Sequence, residues 1–181
     1  MATNAANVQV AVSGEVLVGA TSATAPTGTG SSTTGFTGLG YVSEDGVTET
    51  RSRTADDIKA WQNAATVRTV ITDATLTYSF TLIETNKAAV ELYYGGTLTQ
   101  TGTEGSLVIV PANTGGRKSF ILDVVDGADL VRTYIPSGEV TEVGDKVYAS
   151  GSAIGYEVTI TAYPDTTLGG NAKIWATKLH S

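Results

Sequence analysis

The chain has 181 residues, of which 16% are charged, and its 18 acidic and 11 basic side chains give a formal net charge of −7. That length suits one domain with an unaided core. The acidic balance excludes a chain-wide nucleic-acid-binding surface, which would concentrate Lys and Arg, and the absence of cysteine excludes disulfides and thiolate metal sites.

The first twelve residues, MATNAANVQVAV, lack the basic start and continuous apolar core of a secretory signal. No run approaches the ~18 apolar residues that cross a bilayer. Residues 1–14 are expected to be a flexible segment, and EVLVGA (15–20) is expected to be the first strand. The tract TSATAPTGTGSSTTG, residues 21–35, is too rich in Gly, Ser, Thr and Pro to build a core and reads as a loop or arm. Order resumes at Phe36. Asp45-Gly46 then marks a turn, opening a hairpin that projects over about residues 43–62. Within it, residues 47–54 place Val47, Glu49, Arg51 and Arg53 on one side of an extended chain and Thr48, Thr50, Ser52 and Thr54 on the other. A strand normally sits on its core by one apolar face, and this one has almost none.

A strand follows at VRTVIT (67–72), and the clearest one is ATLTYSFTLIE (74–84). There Ala74, Leu76, Tyr78, Phe80 and Leu82 alternate with Thr75, Thr77, Ser79 and Thr81, so an apolar face is backed by a hydroxyl face. The same pattern returns where Tyr156, Val158, Ile160 and Ala162 alternate with Glu157, Thr159 and Thr161. Between these strands, Asn86 caps a helix over KAAVELYY that Gly95-Gly96 ends. Further strands are expected at 107–110 (LVIV, buried on both faces), 118–125, 130–135, 140–149 and 172–178, with Asp126-Gly127 as a hairpin turn. The fold class is mostly β: two packed antiparallel sheets, a β-sandwich or partly open barrel, with one flanking α-helix and extended arms. Residues 1–181 form a single domain.

Reactive groups do not converge. The one histidine, His180, is penultimate, where the rigid hold a Ser-His-Asp triad requires is not expected. TGGRKS (114–119) lacks the glycine a phosphate loop needs and leads into a strand, so it reads as a basic hairpin tip. Asp123, Asp126 and Asp129 lack the EF-hand series and read as turn residues. The carboxylate pairs Glu44-Asp45 and Asp56-Asp57 lie on polar loops with no pocket to shift their pKa values. No catalytic, cofactor-binding or metal-ligating residue is assigned, no cofactor is expected, and an enzyme is not expected.

LGYVSEDGV (39–47), then Ala60-Trp61, then FTLIETN…ELYYG between Phe80 and Gly95, taken in that order, resemble the major tail tube proteins of long-tailed, non-contractile bacteriophages. Ala25-Pro26-Thr27-Gly28 is similar to the Ala-Pro-x-Gly-Thr segment of that family, with the small residues reordered and GTGSSTT expanded. The resemblance covers residues 15–95 by motif and the remainder by strand pattern. It implies a virion tail protein made in the host bacterial cytoplasm. Six copies would form a ring, and rings would stack into a tube whose lumen conducts the genome during ejection. Partners would be further copies of the chain, the tail terminator, tip and tape-measure proteins, and double-stranded DNA in transient, non-specific passage. Glu49, Arg51, Arg53, Asp56, Asp57 and Trp61 become the residues of an inter-subunit hairpin. Thr75, Thr77, Ser79, Thr81, Glu157, Thr159 and Thr161 become candidates for the lumen lining, with the water-facing side of the sandwich as their alternative. The tract 21–35 would order on stacking. Two other readings are a β-sandwich carbohydrate-binding or adhesin module using Trp61 or Trp175, and a capsid decoration or head–tail connector protein.

Overall fold

A computed structural model describes residues 5–179; His180 and the first four residues of the 1–14 segment lie outside that range. Ten strands and one α-helix occur among the described residues. They are β1 (Ser13–Gly19), β2 (Phe36–Gly38), β3 (Val42–Lys59), β4 (Thr66–Leu82), α1 (Lys87–Tyr94), β5 (Thr99–Thr101), β6 (Glu104–Ser106), β7 (Lys118–Asp126), β8 (Asp129–Val143), β9 (Tyr156–Ala162) and β10 (Lys173–Ala176). The small β5–β6 hairpin stands apart, and the other eight strands are hydrogen-bonded in the order β2-β1-β7-β8-β9-β4-β3, with β10 also on β8.

The long strand β8 belongs to two layers. Residues 129–138 pair with β7, and residues 138–143 pair with β9. The registers Phe120↔Ile135 and Lys118↔Gly138 leave β8 one residue longer than its partner, a bulge that contains Pro136. Proline cannot donate to a ladder, and bulges are where strands tolerate it. Val16, Phe120 and Leu122 from one layer meet Phe80, Val158 and Ile160 from the other in a single buried core. The sheet is therefore folded on itself into a sandwich, without closing into a barrel. Helix α1 covers one side of this core with Ala89 and Leu92. Its cap is as the sequence indicates: Asn86 Oδ1 accepts from the Ala89 amide at 2.9 Å, and Gly95 ends the helix at φ 66°. The first contact satisfies a donor left open at every helix start, and the second uses a conformation that side chains resist.

Several expected boundaries change. The Asp45-Gly46 dipeptide is not the hairpin turn; β3 runs through it as an irregularity between Val42↔Leu82 and Val47↔Phe80. Chain reversal comes instead at residues 60–65, where the Ala60 amide donates to the Ala65 carbonyl at 2.8 Å. The two strands expected at 67–72 and 74–84 are one, as are those at 130–135 and the start of 140–149. Residues 107–110 form no strand, and Val108, Ile109 and Val110 are exposed. An apolar run of four is compatible with a surface loop when no neighbouring strand offers it a ladder.

Candidate assembly surfaces

The layer β8-β9-β4-β3 turns one face to the core and α1, and the other away from both. Register fixes who shares the outward face. Thr77 pairs with Thr161, Ser79 with Thr159 and Thr81 with Glu157 across β4 and β9. Thr48, Thr50 and Ser52 of β3 lie opposite Ser79, Thr77 and Thr75. On the far side, Glu139 and Glu142 of β8 lie opposite Thr161 and Thr159. All seven residues expected to form one lining thus occupy one surface. They are knitted together by hydroxyl contacts, Ser79 Oγ to Thr159 Oγ1 at 2.8 Å and Thr141 Oγ1 to Thr161 Oγ1 at 2.7 Å. From the Thr54–Asp73 pair to the Glu139–Thr161 pair, the strand residues of this face are hydroxyls and carboxylates with no lysine or arginine.

Among the described residues, both edges of this layer are open. Strand β3 has β4 on one side and no strand on the other, and residues 139–143 of β8 have only β9. Strand β4 loses its β9 partner beyond Thr77, so residues 66–76 continue with β3 as a two-stranded arm. At the usual rise these eleven residues reach roughly 35 Å past the body. Both sides of this arm are largely exposed. The face lacking apolar groups is explained by this: Arg51 lies opposite Leu76, half-buried at the rim of the core, and Arg53 opposite exposed Ala74, where the sandwich has ended. Nearer the body, Glu49 lies opposite buried Tyr78, whose pKa is pushed up by burial and then by the Glu49 carboxylate. Arg51 meets Glu49 at 3.3 Å. Asp57 accepts from the Thr69 hydroxyl at 2.6 Å, while Asp56 pairs across to Val70. Trp61, 97% exposed, sits at the tip.

Sequence reasoning missed two further features. The tract 21–35 is anchored within its own chain. Buried Arg132 grips Asp123 through Nε and Nη2 at 2.7 and 2.6 Å, and its Nη1 donates to the Ser31 carbonyl at 2.8 Å. Hydrogen bonding to Asp123 raises the guanidinium pKa, so this group stays charged. Ser119 adds a hydroxyl donor to the Ala20 carbonyl at 2.7 Å. The remaining members of the aspartate series are also engaged, Asp126 with the Val10 amide and Asp129 with Lys178.

The second feature is a pocket of about 280 Å³ beside the open β8 edge. Tyr93, Tyr94, Ile109, Pro111, Val140 and Val143 are among its lining residues. The Tyr93 hydroxyl donates to the Gly144 carbonyl at 2.7 Å, and Thr114 Oγ1 donates to Glu139 at 2.6 Å, which fixes two of its walls. Lys146 closes the region behind Tyr94, its Nζ 3.2 Å from that hydroxyl and 4.6 Å from the Tyr156 ring centre.

A family model described as phage tail tube protein matches residues 1–177. No curated protein matches the chain. Two solved structures align with it. One, described as the virion of a native gene transfer agent particle, has 8% identity and a TM-score of 0.40, over 78% of this chain and 88% of that one. The other, an extracellular contractile injection system sheath-tube complex in the extended state, has 9% identity and a TM-score of 0.45, over 97% of this chain and 100% of that one. Both scores are too low to establish a shared fold.

Proposed function

The chain belongs to the phage tail tube protein family, and from that premise we propose that six copies close into a ring and that stacked rings form a bore conducting double-stranded DNA out of the virion. The observation that carries this reading is the layer β3-β4-β9-β8, open at both edges and coated on its outward face with hydroxyls and carboxylates. The β3 edge of one copy pairs with the β8 edge of the next. An open strand edge is an aggregation hazard in a lone protein, and the same unpaired amides and carbonyls supply directional association when a partner edge is provided. Such a contact is head-to-tail, so it yields a ring when the rotation closes.

Closing the ring with the hydroxyl face inward makes Thr75, Thr77, Ser79, Thr81, Glu157, Thr159 and Thr161 the lining. Duplex DNA carries about one negative charge per 1.7 Å, and every cation that neutralises a phosphate adds to retention. A lining without lysine or arginine lets the duplex slide. The arm carrying Glu49, Arg51, Arg53, Asp56, Asp57 and Trp61 reaches an adjacent copy, and its mixed charges select register more than they add affinity. The role is structural, the place is the virion tail after synthesis in the host cytoplasm, and terminator, tip and tape-measure proteins complete the assembly.

Electron microscopy of the purified protein at rising concentration tests this. Hollow tubes with six-fold end views are expected. A monomer at every concentration, or isolated trimers, would overturn the reading.

A further inference from the structure

We propose that Trp61 at the arm tip of one copy seats in the apolar pocket between α1, residues 109–111 and β8 of another copy. The inference rests on the tube reading and names the receptor of the arm. Four observations converge on it. The first is that Trp61 is 97% exposed, at the far end of an arm that reaches roughly 35 Å beyond the body. Its own pocket lies on that body, so a second copy must supply the site. Buried aromatic anchors of this type dominate protein interfaces.

Shape supplies the second. The pocket is about 280 Å³ and is walled mainly by rings and branched aliphatic groups, with Asn113, Thr114, Thr141 and Glu142 as its polar lining, near the lower end of the usual ~300–1,000 Å³ for binding cavities. Ile109, Val110 and Val143 around it are at least half exposed, so the pocket stands open in the lone chain.

Charge supplies the third. Beside Trp61, Lys59 and Arg68 form no ion pair among the described residues. Glu142 lines the pocket and has no ion-pair partner among the described residues. Cations beside the anchor thus meet an acid in the receptor, the arrangement that orients an encounter.

The fourth is the rigidity of the tip. Ala64 holds φ at 54°, uncommon for a residue with a side chain, and the turn is closed by Ala60 N–H to Ala65 O at 2.8 Å and Ala64 N–H to Ala60 O at 3.0 Å. A pre-shaped tip loses less freedom on docking.

The test places benzoylphenylalanine at position 61 and irradiates assembled tubes made from mixed light and heavy subunits. Crosslinks from 61 to residues 92–94, 109–111 or 140–143 of a different copy are expected, with none in dilute subunit. Trp61→Ala and Ile109→Asp should each raise the concentration needed for tube growth tenfold or more, and the double variant should be no worse than either alone, because both remove one contact. Both positions are exposed, so the subunit should fold normally. Normal tubes whose crosslinks map elsewhere, or losses that add in the double variant, would overturn the docking and leave the tube reading intact. Wild-type protein that never forms tubes would overturn both.

Discussion

Replacing Arg132 by Met deletes the charge that neutralises Asp123 and keeps much of the apolar stem. The two side chains are only 6% and 5% exposed, and their contacts of 2.7 and 2.6 Å form a two-pronged, charge-assisted pair. Without the guanidinium, a carboxylate remains inside the fold with no counter-charge, which typically costs about 3–5 kcal/mol. The Ser31 carbonyl loses its donor as well, and a stranded acceptor adds about 1 kcal/mol where water cannot replace it. With a total stability of about 5–15 kcal/mol for a domain and a urea slope of about 2 kcal/mol/M, the midpoint should fall by roughly 1.5–3 M. Fluorescence-detected urea unfolding of the subunit measures this, with hydrogen exchange over residues 21–35 reporting the anchor separately. The double variant Arg132→Met with Asp123→Leu removes both charges and should return to within about 1 kcal/mol of the parent, while residues 21–35 stay less protected. A single variant within 1 kcal/mol of the parent would refute the reasoning. A double variant as unstable as the single would place the loss in the loop contacts instead of the stranded carboxylate.

Asn86→Ala removes the acceptor for the Ala89 amide and the donor to the Leu39 carbonyl, each at 2.9 Å. Thermal unfolding should show a loss of about 1.5–3 kcal/mol. Thr75→Lys, at an exposed position of the hydroxyl face, should change subunit stability by no more than about 0.5 kcal/mol. It should give tubes that retain DNA in a salt-dependent manner, with about six added cations per ring, measured by cosedimentation against salt. Hydrogen bonds from Lys178 and then Thr177 hold the Asp129 pKa below its ordinary value. The folded chain therefore takes up that proton less readily than the unfolded one, so the contribution to stability is present above about pH 4 and fades as the pH falls below it. Thermal midpoints of the parent and Asp129→Asn should differ at neutral pH and converge in acid.

Local pattern was enough to read the helix with both caps, the alternating faces of β4 and β9, and the Asp126-Gly127 turn. That turn carried more than was taken from it. Antiparallel pairing around Asp126↔Asp129 places Asp123 opposite Arg132, so the buried ion pair was available from register alone. Its burial was not, because the cover comes from residues 28–31, about a hundred positions away. Pairing of Thr77 with Thr161 is likewise long-range; each strand shows its own hydroxyl face, and nothing local says the two faces merge. The misplaced hairpin turn has a plain cause. Asp-Gly suits an irregular strand position with positive φ as well as a reversal, and Gly46 adopts φ 69° in the former. Splitting β8 at Pro136 was the expected response to a proline, and the bulge that accommodates it depends on two partner strands.

The arm joins these local patterns to assembly. A two-stranded ribbon with no third strand and almost no covered face is marginal in water, so residues 51–59 and 66–76 need stabilisation that the rest of the chain does not supply. Their own ion pair adds little: Arg51 and Glu49 are 71% and 42% exposed, where such contacts contribute about 0–1 kcal/mol. Covering the arm with more apolar residues would stabilise it only by presenting a long, flat, sticky edge before any partner arrives. Threonines and mixed charges make up most of its length, its exposed aliphatic groups are limited to Ile58, Val67 and Ile71, and the one large ring, Trp61, stands at the tip, which limits that hazard while leaving one strong anchor. The loss of apolar alternation begins at Glu49, opposite the last buried side chain of β4, Tyr78. The sequence stops specifying a core face where the sandwich can no longer provide one, and from there outward its chemistry suits contact with another copy.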